Sequence, residues 1–255
     1  MYAEERQQAI ATSVARRGRL SVAEIATSYD VTTETVRRDL TVLERAGVVR
    51  RVHGGVVPAA SLTMIEAAVA ERDSAQAPEK DRIAKAALDL LPEDHGTVLL
   101  DAGTTTTRMA ALFPRDRRLT VVTHAVPIAA RLAGLTHIDL RLLPGRVRHT
   151  TQAAVGSDTV AALGMLRAEV AFLGTNGLTR DHGLSTPDAD EAAAKRAMVR
   201  GAHLVVVLTD SSKLGVEATH RFAEINQVDV LVTDAGIDDD VRSALESAGL
   251  EVRIA

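Results

Sequence analysis

The sequence predicts an α/β protein in two parts: a small helical unit ending in a β-hairpin, then a larger domain around a mainly parallel sheet. Three observations carry this expectation. Beyond residue 79, short apolar runs alternate with helical patterns, as strands joined through helices require. Before residue 60, three amphipathic segments with their own start or stop residues lead into an alternating apolar and basic stretch, VVRRVHGGVVP. Charge also changes sign along the 255-residue chain: the first 60 residues hold nine Arg, no Lys and seven Asp or Glu, a net +2, while the remainder carries −6. That asymmetry fits a small head facing nucleic acid on an acidic body.

Composition removes several classes of function. With 46% hydrophobic and 25% charged residues, the chain has the balance of an ordinary globular protein. It has no cysteine, hence no disulfide, thiolate nucleophile or cysteine zinc site, which fits a reducing compartment. The eight histidines show no metal-ligand spacing, so neither a metal nor a cofactor is expected. The start, MYAEERQQ, lacks an apolar signal core, and no later apolar run is long enough for a bilayer. The expectation is a cytoplasmic protein without membrane contact.

The elements follow in order. Residues 4–17 place Ile10 and Val14 on one helical face, and Gly18 stands where a left-handed residue ends a helix. Ser21 and Glu24 form a capping-box pattern for a second short helix with Val22, Ile25 and Ala26 inward. After a break at Tyr29-Asp30-Val31, Thr32 can cap a third helix through Ala46, with Val36, Leu40 and Leu43 as its stripe and Gly47 as its stop. Two helices joined by a short turn make a helix-turn-helix, in which residues early in the second helix face base edges. Arg37 and Arg38 lie off the apolar stripe beside Thr33 and Thr35. Arginine can read a guanine edge or neutralise a phosphate, and threonine suits phosphates or a thymine methyl. The plainer alternative is an Arg38–Glu34 pair at i, i+4. Val48–Pro58 then reads as a hairpin with a glycine turn at Gly54-Gly55, a wing that puts Arg50, Arg51 and His53 near the DNA backbone.

With these residues in place, LSVAEIATSYDVTTETVRRDLTVLERAGVVRRVHGG resembles the winged helix-turn-helix of the DeoR family of bacterial sugar-operon regulators, over nearly all of residues 4–58. The resemblance implies sequence-specific binding to double-stranded operator DNA, usually as a repressor. Helix-turn-helix proteins commonly pair two heads with two half-sites, so a homo-oligomer, dimer or tetramer, is expected.

Residues 1–58 are thus read as the DNA-binding domain, 59–78 as a partly helical connector rich in small and breaker residues, and 79–255 as the effector domain. In the last, TVLLDAG, LTVVTHA, IDLRLLPG, VAFLGTNG, HLVVVLTD, VDVLVTD and EVRI are strand candidates. Helices are expected near 79–91, 106–113, 126–133, 157–166, 188–200 and 238–248. Five strands end in polar or glycine-bearing segments, DAGTTTT, THA, PGR, GTNG and TDSSK. In an open parallel sheet, ligands collect beyond the carboxyl ends of the strands, so these segments can share one crevice. Gly103 permits close backbone approach, and the amides and hydroxyls of Thr104 to Thr107 at a helix start can bind a phosphate; the same run could simply cap the helix. Asp101, Asp188, Glu191 and Asp210 offer acceptors for sugar hydroxyls, and Lys195 and Lys213 can balance negative charge. Glu191 and Lys195, at i, i+4, could instead be a surface ion pair.

The order Lys80…Ile83-Ala84, LDAGTTT, VVTHA, VAFLGTNG, GLSTPDADEAAAKRAMV and DSSKLG also resembles the DeoR-type effector domain, over residues 79–235. This implies a fold similar to ribose-5-phosphate isomerase, adapted to bind a phosphorylated sugar or related metabolite. Matched motif by motif, the implied ligand contacts are Asp101, Gly103, Thr104, Thr105, Thr106, Thr123, His124, Gly145, Arg146, Gly174, Asn176, Gly177, Glu191, Lys195, Asp210 and Lys213. His124 stands where many members have asparagine, and Pro144 replaces the first glycine of a common pair, so no particular relative's ligand is carried over. An isomerase or hydrolase with an appended winged helix is the alternative, since carboxylates and lysines are present. The DNA-reading head favours a sensor with no catalytic residues, in which a ligand that binds two conformations unequally shifts operator affinity.

Overall fold

The computed structural model describes residues 2–17, 20–52, 55–58 and 69–255, and the contacts divide the chain into two units, Met1–Met64 and Ile65–Ala255. The first contains α1 (Ala3–Arg17), β1 (Leu20–Ser21), α2 (Val22–Tyr29), α3 (Thr33–Arg45), β2 (Val49–Val52) and β3 (Gly55–Pro58). Every stripe residue expected inward on α1 and α3 is buried: Ile10, Val14, Val36, Leu40 and Leu43 share a core with Leu20, Ile25, Val49 and Val56. The capping box is formed, with the Glu24 amide donating to Ser21 Oγ at 3.1 Å and the Ser21 amide to Glu24 at 2.8 Å. Asp30 takes the left-handed cap of α2 at φ 51°, and Gly47, at φ 66°, follows α3.

A polar clamp joins α1 to α3. Arg6 Nε donates to the buried Asp39 carboxylate at 2.6 Å and Gln7 adds a bond at 3.0 Å. The apolar pattern gave no sign of Asp39, because a buried acid is recognisable only by its partner one helix away. The wing is an antiparallel ribbon, β1-β3-β2. Gly55 is the first residue of β3, paired with Ser21 and Val52, not part of the turn. A Cβ there would stand 2.3 Å from the Leu20 carbonyl oxygen, so close packing of β1 demands the glycine. Gly18, His53 and Gly54 lie outside the described residues.

The second unit runs α4 (Val69–Ser74), α5 (Ala77–Ala86), β4 (Thr97–Leu100), α6 (Thr104–Ala111), β5 (Leu119–Thr123), α7 (Val126–Leu132), β6 (Ile138–Leu142), β7 (Arg146–Val147), β8 (Ala154–Val155), α8 (Ser157–Gly164) and β9 (Ala168–Leu173). It continues with β10 (Gly177–Thr179), β11 (Gly183–Thr186), α9 (Ala189–Arg200), β12 (Ala202–Leu208), β13 (His220–Ala223), β14 (Val230–Thr233), α10 (Asp239–Ser247) and β15 (Glu251–Ile254). The seven expected strands form one sheet, ordered β15-β14-β12-β9-β4-β5-β6, with every neighbouring pair parallel. Alternate residues enter two separate cores: Leu99, Ala171, Leu173, Val205 and Val207 one, and Val98, Leu100, Val170, Phe172 and Val206 the other. A sheet covered on both faces explains why these strands read as unbroken apolar runs.

Three features differ from the sequence expectation or go beyond it. A small antiparallel sheet, β10-β11-β13, and a β7-β8 hairpin stand beside the main sheet; their strands are two to four residues long, too short for a periodic signal. Helix α6 begins at Thr104, two residues before the expected start. Residues 69–78, read as connector, are largely helical and described with the second unit. Among the described residues, no helix is long and apolar enough to cross a membrane, and no cluster of His, Asp or Glu could hold a metal ion.

Candidate functional site

The tips of β5, β4, β9 and β12 stand side by side in the sheet. At strand spacings just under 5 Å, the ends of β4 and β12 are about 10 Å apart. Asp101, immediately after β4, is fully buried and is the hub. Its carboxylate accepts from the Gly174 amide after β9 at 2.8 Å and from Lys195 Nζ of α9, and His124 Nε2 after β5 lies 3.0 Å away. Lys195 also donates to the Gly174 carbonyl at 2.9 Å and lies 5.3 Å from the centre of the Phe222 ring. Burial alone would raise the Asp101 carboxyl, but the Lys195 ammonium and the hydrogen bond from His124 outweigh it and hold it at about 2. His124 Nδ1 lies 2.8 Å from the Ala154 carbonyl, which fixes a proton there, while Nε2 faces both Asp101 and the Ala102 amide at 3.1 Å. Four predicted residues from four segments thus form one bonded group.

The hydroxyl row divides by role. Thr106 donates to the carbonyls of Asp101 and Gly103 at 2.8 and 3.0 Å, and Thr107 donates to that of Gly103 at 2.7 Å. Thr104 and Thr105 make no such bond among the described residues, and α6 starts at Gly103 without a side-chain cap. A first helical turn left open in this way is a place for an anion. Thr123 is buried and committed, donating to Leu100 at 2.6 Å and accepting from the Ala125 amide at 3.1 Å. Across β9, Asp210 caps the short turn Ser211–Lys213 by accepting from Ser212, and Asp234 holds the same turn by accepting from the Ser211 amide at 2.7 Å. Lys213 is half-buried and has no partner among the described residues.

Other predicted residues have structural tasks. Glu191 and Lys195 do not pair on the surface: both are buried, and Glu191 accepts from Thr151 and, at 2.5 Å, from Arg148. Arg148 also meets Asp188, the cap of α9, at 3.2 Å. Arg146 is exposed and paired with Asp190 at 2.8 Å. Gly145, at φ 142°, leaves no room for a Cβ beside Thr159 Oγ1. Gly177 has the same character: a Cβ would stand 2.3 Å from the Val216 carbonyl oxygen. A Gly177→Ala chain is therefore expected to lose about 1–3 kcal/mol of stability, read from a urea midpoint; unchanged stability would return this glycine to a purely ligand-facing role. Gly174 would tolerate a Cβ, whose nearest atom is 3.7 Å away. The half-buried Asn176 side chain has no partner among the described residues. Sequence reasoning missed Arg148, Thr151, Asp234 and Arg108, which carry no motif spacing: Arg148 and Thr151 are placed by the Glu191 carboxylate, Arg108 by Asp73 and Asp81, and Asp234 by the amide and hydroxyl of Ser211 and the Gly236 amide.

In the first unit, Thr32 caps α3, accepting from the Thr35 amide at 3.2 Å. Thr33 is exposed at its start. Arg37 and Arg38 are 64% and 80% exposed and reach Glu34 at only 4.0 and 3.6 Å. Arg51 is turned back onto α3, donating to Thr41 at 2.6 Å and to the Arg37 carbonyl, with Glu44 beside it at 3.5 Å. Burial lowers the Arg50 guanidinium, and one of its nitrogens is buried without a partner among the described residues. Among the described residues of α3 and the wing, Arg37 and Arg38 stand further out than Arg50 and Arg51.

A winged helix-turn-helix with exposed arginines on its second helix, carried with an α/β domain whose polar strand tips converge, defines a DNA-binding regulator with a sensor domain. The matching family models are the DeoR-like helix-turn-helix domain over residues 6–61 and the DeoR C terminal sensor domain over residues 75–235. The chain belongs to the DeoR family of sugar-operon transcriptional regulators, DNA-binding proteins and not enzymes. It is 34% identical to the HTH-type transcriptional regulator GlpR of Haloferax volcanii, over 99% of this chain and 98% of that protein. It is 29% identical to the HTH-type transcriptional repressor GlcR of Bacillus subtilis, over 100% and 97%. A solved ribose 5-phosphate isomerase A from Methanocaldococcus jannaschii aligns over 53% of each chain, with a TM-score of 0.39 and 17% identity.

Proposed function

We propose that this regulator is a repressor whose operator affinity is set by a phosphorylated sugar, or a metabolite derived from one, bound across the strand tips of the second unit. The observation that carries the reading is the open first turn of α6 after β4, with Thr104 and Thr105 uncommitted, and an unpaired Lys213 after β12, two strands along the same sheet. A phosphate fits amides, hydroxyls and one ammonium. Asn176 and the rim of the Asp101 group supply polar partners for sugar hydroxyls. The name of the Bacillus subtilis relative, a transcriptional repressor, supports the sign of the regulation.

Retention of DNA from upstream of the chain's own gene, measured against a panel of phosphorylated hexoses, pentoses and pentitols, tests the reading. One member is expected to change retention about ten-fold or more and to raise the melting temperature, with both effects lost in Lys213→Ala and weakened in Thr105→Ala. Ligand affinity equal in both variants and in the parent would remove this crevice as the sensing site.

A further inference from the structure

Helix α4 is the first described element after the wing, and none of its residues is buried. An element without core contacts is held by whatever polar bonds it makes. Two cations supply bonds of this kind. Arg108, four residues beyond Thr104 and so on the same face of α6, donates to the Asp73 carbonyl and to its carboxylate, both at 2.9 Å, and to Asp81 of α5 at 2.6 Å. Lys80, buried in α5, donates to the carbonyls of Ala75, at 2.6 Å, and Arg72, so its ammonium caps the carboxyl end of α4. The chain then reverses through Gln76 in the left-handed region, at φ 53°. The helix that opens the anion cradle therefore also grips the segment leading back toward the DNA-binding unit.

We propose that Arg108 and Lys80 form a latch through which an anion in the cradle tightens the hold on α4, fixing the stretch of chain that leads to the DNA-reading head. The latch rests on the sensing site of the preceding subsection and adds the route by which occupancy leaves it. The sign follows from charge. Four cations, Lys80, Lys213, Arg108 and Arg72, gather there against three carboxylates, Asp73, Asp81 and Asp210: burial lowers Lys80, Asp210 opposes that, and the other three cations lower it further. A phosphate entering beside Lys213 relieves their repulsion and strengthens the bonds from Lys80 and Arg108 to α4.

Hydrogen exchange of the full chain in millimolar inorganic phosphate, against potassium chloride at matched ionic strength, tests this. Amides of residues 69–76 are expected to exchange about ten-fold more slowly with phosphate in the parent, and less than about two-fold more slowly in Arg108→Gln. The thermal shift caused by phosphate should persist in that variant. Asp73→Asn, which keeps the carbonyl acceptor, should show an intermediate response and serves if Arg108→Gln fails to fold. Equal slowing in parent and variants, or faster exchange with phosphate, would overturn the latch while a retained thermal shift left the site standing. A parent that phosphate neither stabilises nor protects would overturn the sensing site and the latch together.

Discussion

A Lys195→Met chain is expected to be about 3–5 kcal/mol less stable than the parent at neutral pH, because it leaves a buried carboxylate without its cation. Asp101 would keep only the Gly174 amide and His124 as partners. For a unit of this size the loss corresponds to a melting transition lower by about 10 °C, measurable by circular dichroism. Asp101→Leu combined with Lys195→Met should recover most of the loss, since removing both charges also removes their desolvation. Acid gives an independent reading. The Asp101 carboxyl sits at about 2 when folded, against an ordinary 3.8, so its contribution, about 2 kcal/mol, is complete above about pH 4 and is lost as pH falls through about 2. Burial lifts the unpaired Asp101 carboxyl of the Lys195→Met chain above its ordinary value, so parent and variant should draw together as pH falls, starting above about pH 4 and ending near 2. A variant as stable as the parent at pH 7 would show that the Asp101 group is not what holds the strand tips together.

Replacing Arg37 and Arg38 together by alanine is expected to weaken specific operator retention by about 100-fold or more, as two lost contacts of about 1–3 kcal/mol each imply. Their links to Glu34 are long and exposed, worth a few tenths of a kcal/mol, so both side chains are free to move to DNA. If both arginines neutralise phosphates instead, the double variant should bind less tightly to all sequences and the slope of log affinity against log salt should fall by about 2. Neither residue belongs to the core of the first unit, so its melting should not change. Normal retention by the double variant would exclude the start of α3 as the DNA-reading surface.

How far the sequence could be read depended on whether a signal was periodic or relational. Val36, Leu40 and Leu43 recur at helical spacing, and the seven apolar runs have strand length, so burial, helix positions and all seven strands of the main sheet could be stated in advance. Ser21 with Glu24 is equally local. The family motifs placed Asp101, His124, Gly174 and Lys195 among the site residues, but no pattern along the chain showed that they would bond to one another.

Those pairings came from strand order. Glu191 and Lys195 look like a surface pair at i, i+4, yet Asp101 and Arg148, brought in from distant segments, claim them separately. Gly55 and Gly177 look like turn or ligand glycines, yet carbonyls of Leu20 and Val216 pass too close for any side chain. The sequence by itself therefore determined the two units, their elements and the chemistry available at the strand tips, because these depend on neighbours a few residues apart. Only the tertiary structure decided which hydroxyls and charges remain open to a ligand, because a buried polar group is satisfied by whatever the fold brings against it.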